Sequence, residues 1–302
     1  MLHLKSRPYY LVITCTFCTA AYLLLRTLFS EYSLSISTSS RNSRDRYAYA
    51  TFLSPRKRPS SSSPSRSTSY SDPDSNSDPN PYFTSVRLLT YQLLHDPRTR
   101  TRLQPSIPFL VLTLPSVPVS QLSILVSEGA TIVPIQPLNL PQTFDQSIIP
   151  RFRDVPAKLR LWQLTQYDKI LALDADSIIL SPLDSIFADP DLSTPMATLH
   201  NGSTVVAPEA HLPSSYLLSA SADTWGNQAD WIGSERPVYL CACFMLLVPS
   251  DALFAYYEWV LGRPEPSFNA SFPDQDLLIY AVDQNGSMSE CRVLVKDIIM
   301  HP

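Results

Sequence analysis

Tyr167-Asp168-Lys169-Ile170-Leu171-Ala172-Leu173-Asp174-Ala175-Asp176 is an apolar run that ends in two carboxylates one residue apart. The Leu- and Ile-rich part reads as a buried strand. In an open α/β sheet the ligand crevice lies beyond the carboxyl ends of the strands. Two acidic side chains delivered there, beside an apolar interior, are costly unless something cationic meets them. A hard divalent ion held by carboxylate oxygens, and through it a phosphate, meets that cost. Asp is also a common turn residue, so the pair could simply close a turn. Spacing alone leaves both readings open.

The remainder of the chain narrows the choice. Its 302 residues are 44% hydrophobic, enough for a sizeable core in one large domain or two small ones. A net charge of −4 gives no basic patch of the kind nucleic acid selects. Only 6 glycines are present against 28 prolines, and neither a G-x-G-x-x-G nor a Walker-type sequence occurs. Any phosphate must therefore be handled without a Gly-rich loop. Of the 5 cysteines, Cys15 and Cys18 lie in the apolar N-terminal run. Cys241, Cys243 and Cys291 form neither a disulfide framework by count nor a zinc pattern.

Tyr9–Leu25 is an uncharged, largely apolar run that continues past Arg26 as Thr27-Leu28-Phe29, close to the length that spans a bilayer, with Lys5 and Arg7 before it. The expectation is a short cytoplasmic tail (1–8), an uncleaved signal anchor (9–29) and a Ser/Thr-rich stem (30–44), with residues 45–302 lumenal. Sequons at Asn201, Asn269 and Asn285 agree with that placement. Residues 56–81, dominated by Ser, Pro, Asp and Arg, have almost nothing to bury and read as a disordered insertion.

Around the insertion the pattern is regular. Strands are expected at Tyr47–Leu53, Ile107–Leu114, Ala130–Ile135, Ile178–Leu180 and Val238–Val248, and a last one at Val293–Ile299. Helices are expected at Tyr82–His95, Ser120–Glu128 with Gly129 as its stop, Pro156–Gln166, from Ser250 to Gly262, and Asp274–Val282. A short helical turn falls at Pro182–Phe187, and Ala188–Pro237 reads as polar and irregular. Strand alternating with helix argues for an α/β domain with a mostly parallel sheet.

Three blocks carry a resemblance: Lys158–Asp168 running into Leu173-Asp174-Ala175-Asp176, then Phe244–Ser250, then Asp274-Gln275-Asp276-Leu277-Leu278. In order and separation they resemble glycosyltransferase family 8, the glycogenin-like nucleotide-sugar transferases, in particular fungal Golgi-type members. The resemblance implies a GT-A fold, a Rossmann-like mixed sheet flanked by helices, here behind a transmembrane anchor. It implies retaining transfer of a hexose or N-acetylhexosamine from a UDP-sugar to a glycan or glycoprotein acceptor. Asp174 and Asp176, with Ala175 between them, would hold Mn²⁺ or Mg²⁺ on the donor diphosphate. Lys158 would sit by the diphosphate and sugar, Tyr82 would stack on uracil, and Thr51 and Leu53 would line the nucleoside. Asp274 and Gln275 would face the donor sugar. No general base is assigned, because catalysis by front-face displacement is mostly positioning and charge stabilisation.

Each of these residues has a plainer role. Lys158 could be a solvated lysine, Tyr82 a core aromatic at a helix start, and Asp274-Gln275 a helix N-terminus with a favourable acid. The chain also departs from the family at two places. Cys241-Ala242-Cys243 stands where an Asn-Ala-Gly-like triplet is usual, and Cys243 in place of Gly narrows the crevice. The histidine that serves relatives as a third metal ligand has no equivalent in residues 288–302; a truncated C-terminus or a mispredicted exon is the expectation. The rival functional reading is an inactive, membrane-anchored GT-A domain that binds nucleotide or partners. A different Asp-x-Asp phosphotransfer enzyme is a third.

Overall fold

The computed structural model of the chain describes residues 46–55, 80–149, 152–198, 212–222, 240–263, 268, 271–282, 292–294 and 299–300. The expected tail, anchor and stem, residues 56–79 of the insertion and all three sequon asparagines lie outside the described residues. Among the described residues, no helix is long and apolar enough to cross a membrane.

Seven strands make the main sheet: β1 (Tyr47–Leu53), β2 (Phe109–Thr113), β3 (Thr131–Pro134), β4 (Lys169–Leu173), β8 (Leu218–Ala222), β9 (Leu240–Leu247) and β10 (Arg292–Leu294), in the order β10-β8-β9-β4-β1-β2-β3. β4, β1, β2 and β3 run parallel, and β9 lies antiparallel between β4 and β8. The sheet is therefore mixed, as the resemblance implied. Two short ribbons complete the strands: β5 (Ile178–Ile179) with β11 (Ile299–Met300), and β6 (Met196–Ala197) with β7 (Ser215–Tyr216).

Side chains alternate across each strand with period two, and both faces are buried. Ala48, Ala50, Leu110, Leu112, Ile170 and Ala172 face one core. That core is closed by a 3₁₀ segment (Val155–Gln163) and by residues of the helices Asp251–Leu261 and Pro273–Val282. Trp162, fully buried, meets Tyr257 edge-on with ring centroids 5.1 Å apart. Tyr49, Leu53, Phe109, Val111, Leu171 and Leu173 face the other core, which takes in Phe83, Val86, Leu89 and Leu93 of the helix Pro81–Leu94. In chain order the α-helices are α1 (Pro81–Leu94), α2 (Val119–Ser127), α3 (Gln142–Ser147), α4 (Pro190–Ser193), α5 (Asp251–Leu261) and α6 (Pro273–Val282).

End signals behave as the sequence implies. Gly129, at φ 98°, takes the left-handed conformation just beyond α2, which a side chain rarely adopts. Ser250 caps α5 by accepting a hydrogen bond from the Leu253 N–H.

Four expectations need correction. The segment expected as a helix at Pro156–Gln166 is 3₁₀ and ends at Gln163. The stretch expected to be irregular supplies α4, β6, β7 and β8, because burial and pairing with β9 replace the missing local pattern: Leu218, Ser219 and Ala220 are all buried. The residues expected as one last strand fall in two sheets, Val293 and Leu294 in β10 of the main sheet and Ile299 in β11 of a two-stranded ribbon. Cys241 and Cys243, which made no framework by count, are joined to each other.

Candidate functional site

Period-two alternation decides where Asp174 goes. Following Ile170 and Ala172, it belongs to the face covered by the 3₁₀ segment and α6. Its backbone extends the pairing of β4 with β9, the Asp174 N–H donating to the Cys243 carbonyl at 2.8 Å. The chain then turns: the Ser177 N–H donates back to the Asp174 carbonyl at 3.1 Å. That turn brings Asp176 to the strand end beside Asp174.

Lys158 comes to the same place from the 3₁₀ segment. With three residues per turn, it stands in line with Leu161, which is buried, so its stem points inward rather than to solvent. Its ammonium donates to Asp174 Oδ1 at 2.5 Å and to the Ala242 carbonyl, and lies 3.5 Å from Asp274 Oδ2. Lys158 and Asp274 are both buried, whereas the Asp174 side chain is 41% exposed. The solvated-lysine reading of Lys158 is therefore excluded.

Asp274 is placed by the first turn of α6. The Asp276 carboxylate reaches back to accept from the Phe272 N–H at 2.9 Å, fixing the start of the helix. Gln275 accepts a hydrogen bond from the Ala242 N–H at 3.2 Å. Thus both backbone groups of Ala242 are engaged, the carbonyl by Lys158 and the amide by Gln275.

Burial alone would lower the Lys158 pKa, but the charges of Asp174 and Asp274 outweigh it and hold the ammonium above the ordinary lysine value. Burial pushes Asp274 upward; Lys158 pulls it down and Asp174 adds to the rise, with the net effect upward. One ammonium facing two carboxylates leaves an excess of negative charge at the strand end. A bound cation would meet it.

Asp176 is half-buried and has no hydrogen-bond or ion-pair partner among the described residues. No group of three or more His, Cys, Asp and Glu residues gathers there among the described residues. Two carboxylates, with phosphate and water completing the shell, are the hold that a Mg²⁺-type ion takes on a nucleotide. The carboxylate chemistry of the residues present fits a divalent ion, and Asp174 and Asp176 are the ones that would carry it.

The other candidates are dispersed along the same edge. The Thr51 hydroxyl, buried at the end of β1, donates to the Leu173 carbonyl at 2.8 Å and so ties β1 to β4. Leu53 is wholly buried in the second core. What that strand end can offer a nucleoside is its backbone. Tyr82, at the start of α1, is 54% exposed, which removes the core-aromatic reading. Ala175 is buried between the two aspartates.

Sequence reasoning missed the part played by Ala242, for which a nondescript residue type gives no signal. It also missed the Cys241–Cys243 bond, although the pair's i, i+2 spacing puts both side chains on one face of a strand. A separate cavity of about 680 Å³, lined in part by Arg100, Arg102 and Ser106, lies by Ile107 and Pro108 at the opposite, amino-terminal end of β2.

No family model matches the chain. An uncharacterized protein of Schizosaccharomyces pombe is 26% identical over 232 residues, 68% of this chain and 60% of that protein. Galactinol synthase 5 of Arabidopsis thaliana is 30% identical over 181 residues, 59% of this chain and 52% of the relative. A protein of the same plant, provisionally named UDP-glucuronate:xylan alpha-glucuronosyltransferase 3, is 49% identical over 113 residues, 36% of this chain and 18% of the relative. The chain spans about half to three-fifths of the first two relatives' lengths. Among solved structures, mouse xyloside xylosyltransferase 1 is 11% identical, covering 82% of this chain and 85% of that one, with a TM-score of 0.41.

Proposed function

We propose that this chain is a metal-dependent retaining glycosyltransferase that moves a hexose or N-acetylhexosamine from a UDP-sugar to a glycan or glycoprotein acceptor. One observation carries the reading: a buried, charged Lys158 held between Asp174 and Asp274 at the carboxyl end of β4, beside the uncommitted Asp176. The named plant relatives support the reaction class.

Each residue has a definite task in this reading. Asp174 and Asp176 would hold Mn²⁺ or Mg²⁺, which when bound supplies charge neutralisation at the departing diphosphate. Lys158, kept protonated by its two carboxylates, presents fixed positive charge to the phosphate–sugar junction. Asp274 and Gln275, anchored at the start of α6, orient the sugar hydroxyls. Tyr82 offers a ring face to uracil, and the end of β1 offers backbone to the nucleoside. The low dielectric around Lys158 strengthens its hold on a developing negative charge without reorganisation of the protein.

The same proposal places the chain in the Golgi membrane as a type II protein with residues 45–302 lumenal. The apolar run at residues 9–29 and the three sequons support this. So does the Cys241–Cys243 disulfide, which belongs in an oxidising compartment. A mobility shift on endoglycosidase treatment of the cellular protein tests it; no shift would count against lumenal placement.

A second reading, a nucleotide-binding domain without turnover, is favoured by one observation: no group of three or more His, Cys, Asp and Glu residues that could hold a metal gathers among the described residues. The deciding experiment is UDP-sugar hydrolysis by the purified full chain with and without Mn²⁺, beside the variant Asp176→Asn. Mn²⁺-dependent turnover that collapses in the variant is the expected result. Equal turnover in both proteins removes Asp176 from the mechanism. Absence of turnover in both, with Mn²⁺-dependent UDP binding in the wild type, supports the second reading.

A further inference from the structure

The disulfide Cys241–Cys243 sits inside β9 at the point where the strand loses its register. Ala220 pairs with Met245, yet the next residue, Ser221, pairs with Cys241 rather than Phe244, so Ala242, Cys243 and Phe244 bulge out of the ladder to β8. The core assignment shows the same break. Ala242 and Met245 face the Lys158 side of the sheet, while the consecutive residues Cys243 and Phe244 both face the other. In a regular strand, residues two apart are separated by about 6.6 Å; the Cα atoms of Cys241 and Cys243 are 5.2 Å apart. The covalent bond thus spans a contracted backbone whose single intervening residue is Ala242.

Ala242 is also the residue whose carbonyl receives Lys158 and whose N–H donates to Gln275. Its neighbour Cys243 supplies the carbonyl that receives the Asp174 N–H. Three of the residues assigned to the donor site therefore lean on the backbone that the disulfide encloses. The bond itself lies on the far face of the sheet, where Ser221 Oγ approaches Cys243 Sγ at 3.3 Å.

We infer that Cys241 and Cys243 are positioning residues: their disulfide holds the Ala242 bulge in the shape that fixes Lys158, Gln275 and Asp174 for the donor, so that reduction loosens the site. The inference rests on the proposed donor site for its functional consequence. Its structural half, control of the Ala242 backbone, stands independently. Reduction by dithiothreitol breaks the Sγ–Sγ bond and leaves two cysteine thiols. The reagent supplies both electrons and both protons and closes to its own cyclic disulfide.

The test compares the oxidised full chain, the chain treated with dithiothreitol, and the double variant Cys241→Ser/Cys243→Ser, with thiol titration recording the redox state and circular dichroism the fold. Amide hydrogen exchange at Ala242 and Asp174 is expected to be about tenfold faster in the reduced chain and in the variant than in the oxidised one, equivalent to about 1.4 kcal/mol of local stability. Mn²⁺-dependent UDP affinity should fall about ten- to a hundredfold with it, the usual effect of losing an outer support of a metal or ligand group. The variant should not respond to dithiothreitol. Unchanged exchange at Ala242 and Asp174 on reduction overturns the inference, whatever the nucleotide does. Faster exchange with no UDP binding in any form upholds the positioning role and removes the donor-site reading instead. Equal UDP affinity in the oxidised and reduced forms, despite faster exchange, overturns the functional half.

Discussion

Lys158 Nζ lies 3.5 Å from Asp274 Oδ2, across the gap between the 3₁₀ segment and α6, with both side chains buried. A pair of this kind stabilises little by itself, since desolvation offsets most of the attraction, but it is expensive to break from one side. Its second consequence is positional: Asp274 holds the ammonium from the buried side while the half-exposed Asp174 holds it from the solvent side.

Replacing Lys158 by Met leaves Asp274 buried without a counter-charge. The expected loss is about 3 to 5 kcal/mol of folding stability, the range for removing one partner of a buried pair. Denaturant midpoints of the wild type and the variant measure it. A double variant that also carries Asp274→Leu should recover part of the loss without recovering UDP-sugar turnover. Retention of turnover in Lys158→Met would remove the lysine from the site's chemistry.

Thr51 and Tyr82 are both expected at the nucleoside; the first is buried and the second exposed. Thr51→Val deletes a buried hydrogen bond to the Leu173 carbonyl and should cost about 1 kcal/mol of stability. Tyr82→Ala alters an exposed position and should leave stability within about 0.5 kcal/mol. It should nevertheless weaken UDP binding by about 1 to 3 kcal/mol, the scale of base stacking on an aromatic ring. Calorimetric UDP titration beside a thermal melt separates the two effects; unaltered UDP affinity in Tyr82→Ala would show that the ring is not a stacking platform.

The contrast shows what was legible in the chain. Strand and helix order could be read because both faces of the sheet are buried, giving continuous apolar runs such as Ile170–Leu173 and Phe109–Leu112 between amphipathic helices. The resemblance, which joins blocks far apart in the sequence, implies that Lys158, Asp174 and Asp274 share one site; that the lysine pairs with both carboxylates is seen only in the structure. Leu218–Ala222 was not legible as a strand, because Ser and Ala carry weak strand preference and the element exists through its pairing with β9. The bulge at Ala242 was invisible for a related reason. It is made by backbone, and side-chain patterns do not report backbone hydrogen bonds.

Tyr49 gives a pH prediction away from the site. Its hydroxyl donates to Asp184 Oδ1 at 3.0 Å, and Asp184 Oδ2 also accepts from the Arg102 N–H at 2.7 Å. Burial, followed by the charge of Asp184, raises the Tyr49 pKa well above its ordinary value of 10.0. A pKa raised on folding means that the protonated form is favoured in the native state. Its contribution to stability is complete below pH 10 and is lost as pH rises beyond that towards the folded value. Urea midpoints should therefore fall above pH 10 in the wild type, and this component should be missing in Tyr49→Phe, which also loses about 1 kcal/mol at neutral pH. Parallel alkaline profiles for the two proteins would rule out Tyr49 as the source.

Asp176 provides the cleanest separation of ligand binding from folding, because its half-buried carboxylate has no protein partner among the described residues. Asp176→Asn keeps the shape and removes the charge, so in the absence of metal its melting temperature should match the wild type, a difference within about 0.5 kcal/mol. Binding to the native state alone stabilises by mass action, about 2.7 kcal/mol at a ligand concentration a hundred times Kd. Adding Mn²⁺ with UDP should raise the wild-type melting temperature by that linkage and leave Asp176→Asn nearly unmoved, whereas Asp176→Glu should retain part of the shift. The measurement is a thermal melt of the three proteins across a Mn²⁺ series at fixed UDP. An equal shift in all three would mean that the cation is held elsewhere, and that Asp176 is a turn residue after all.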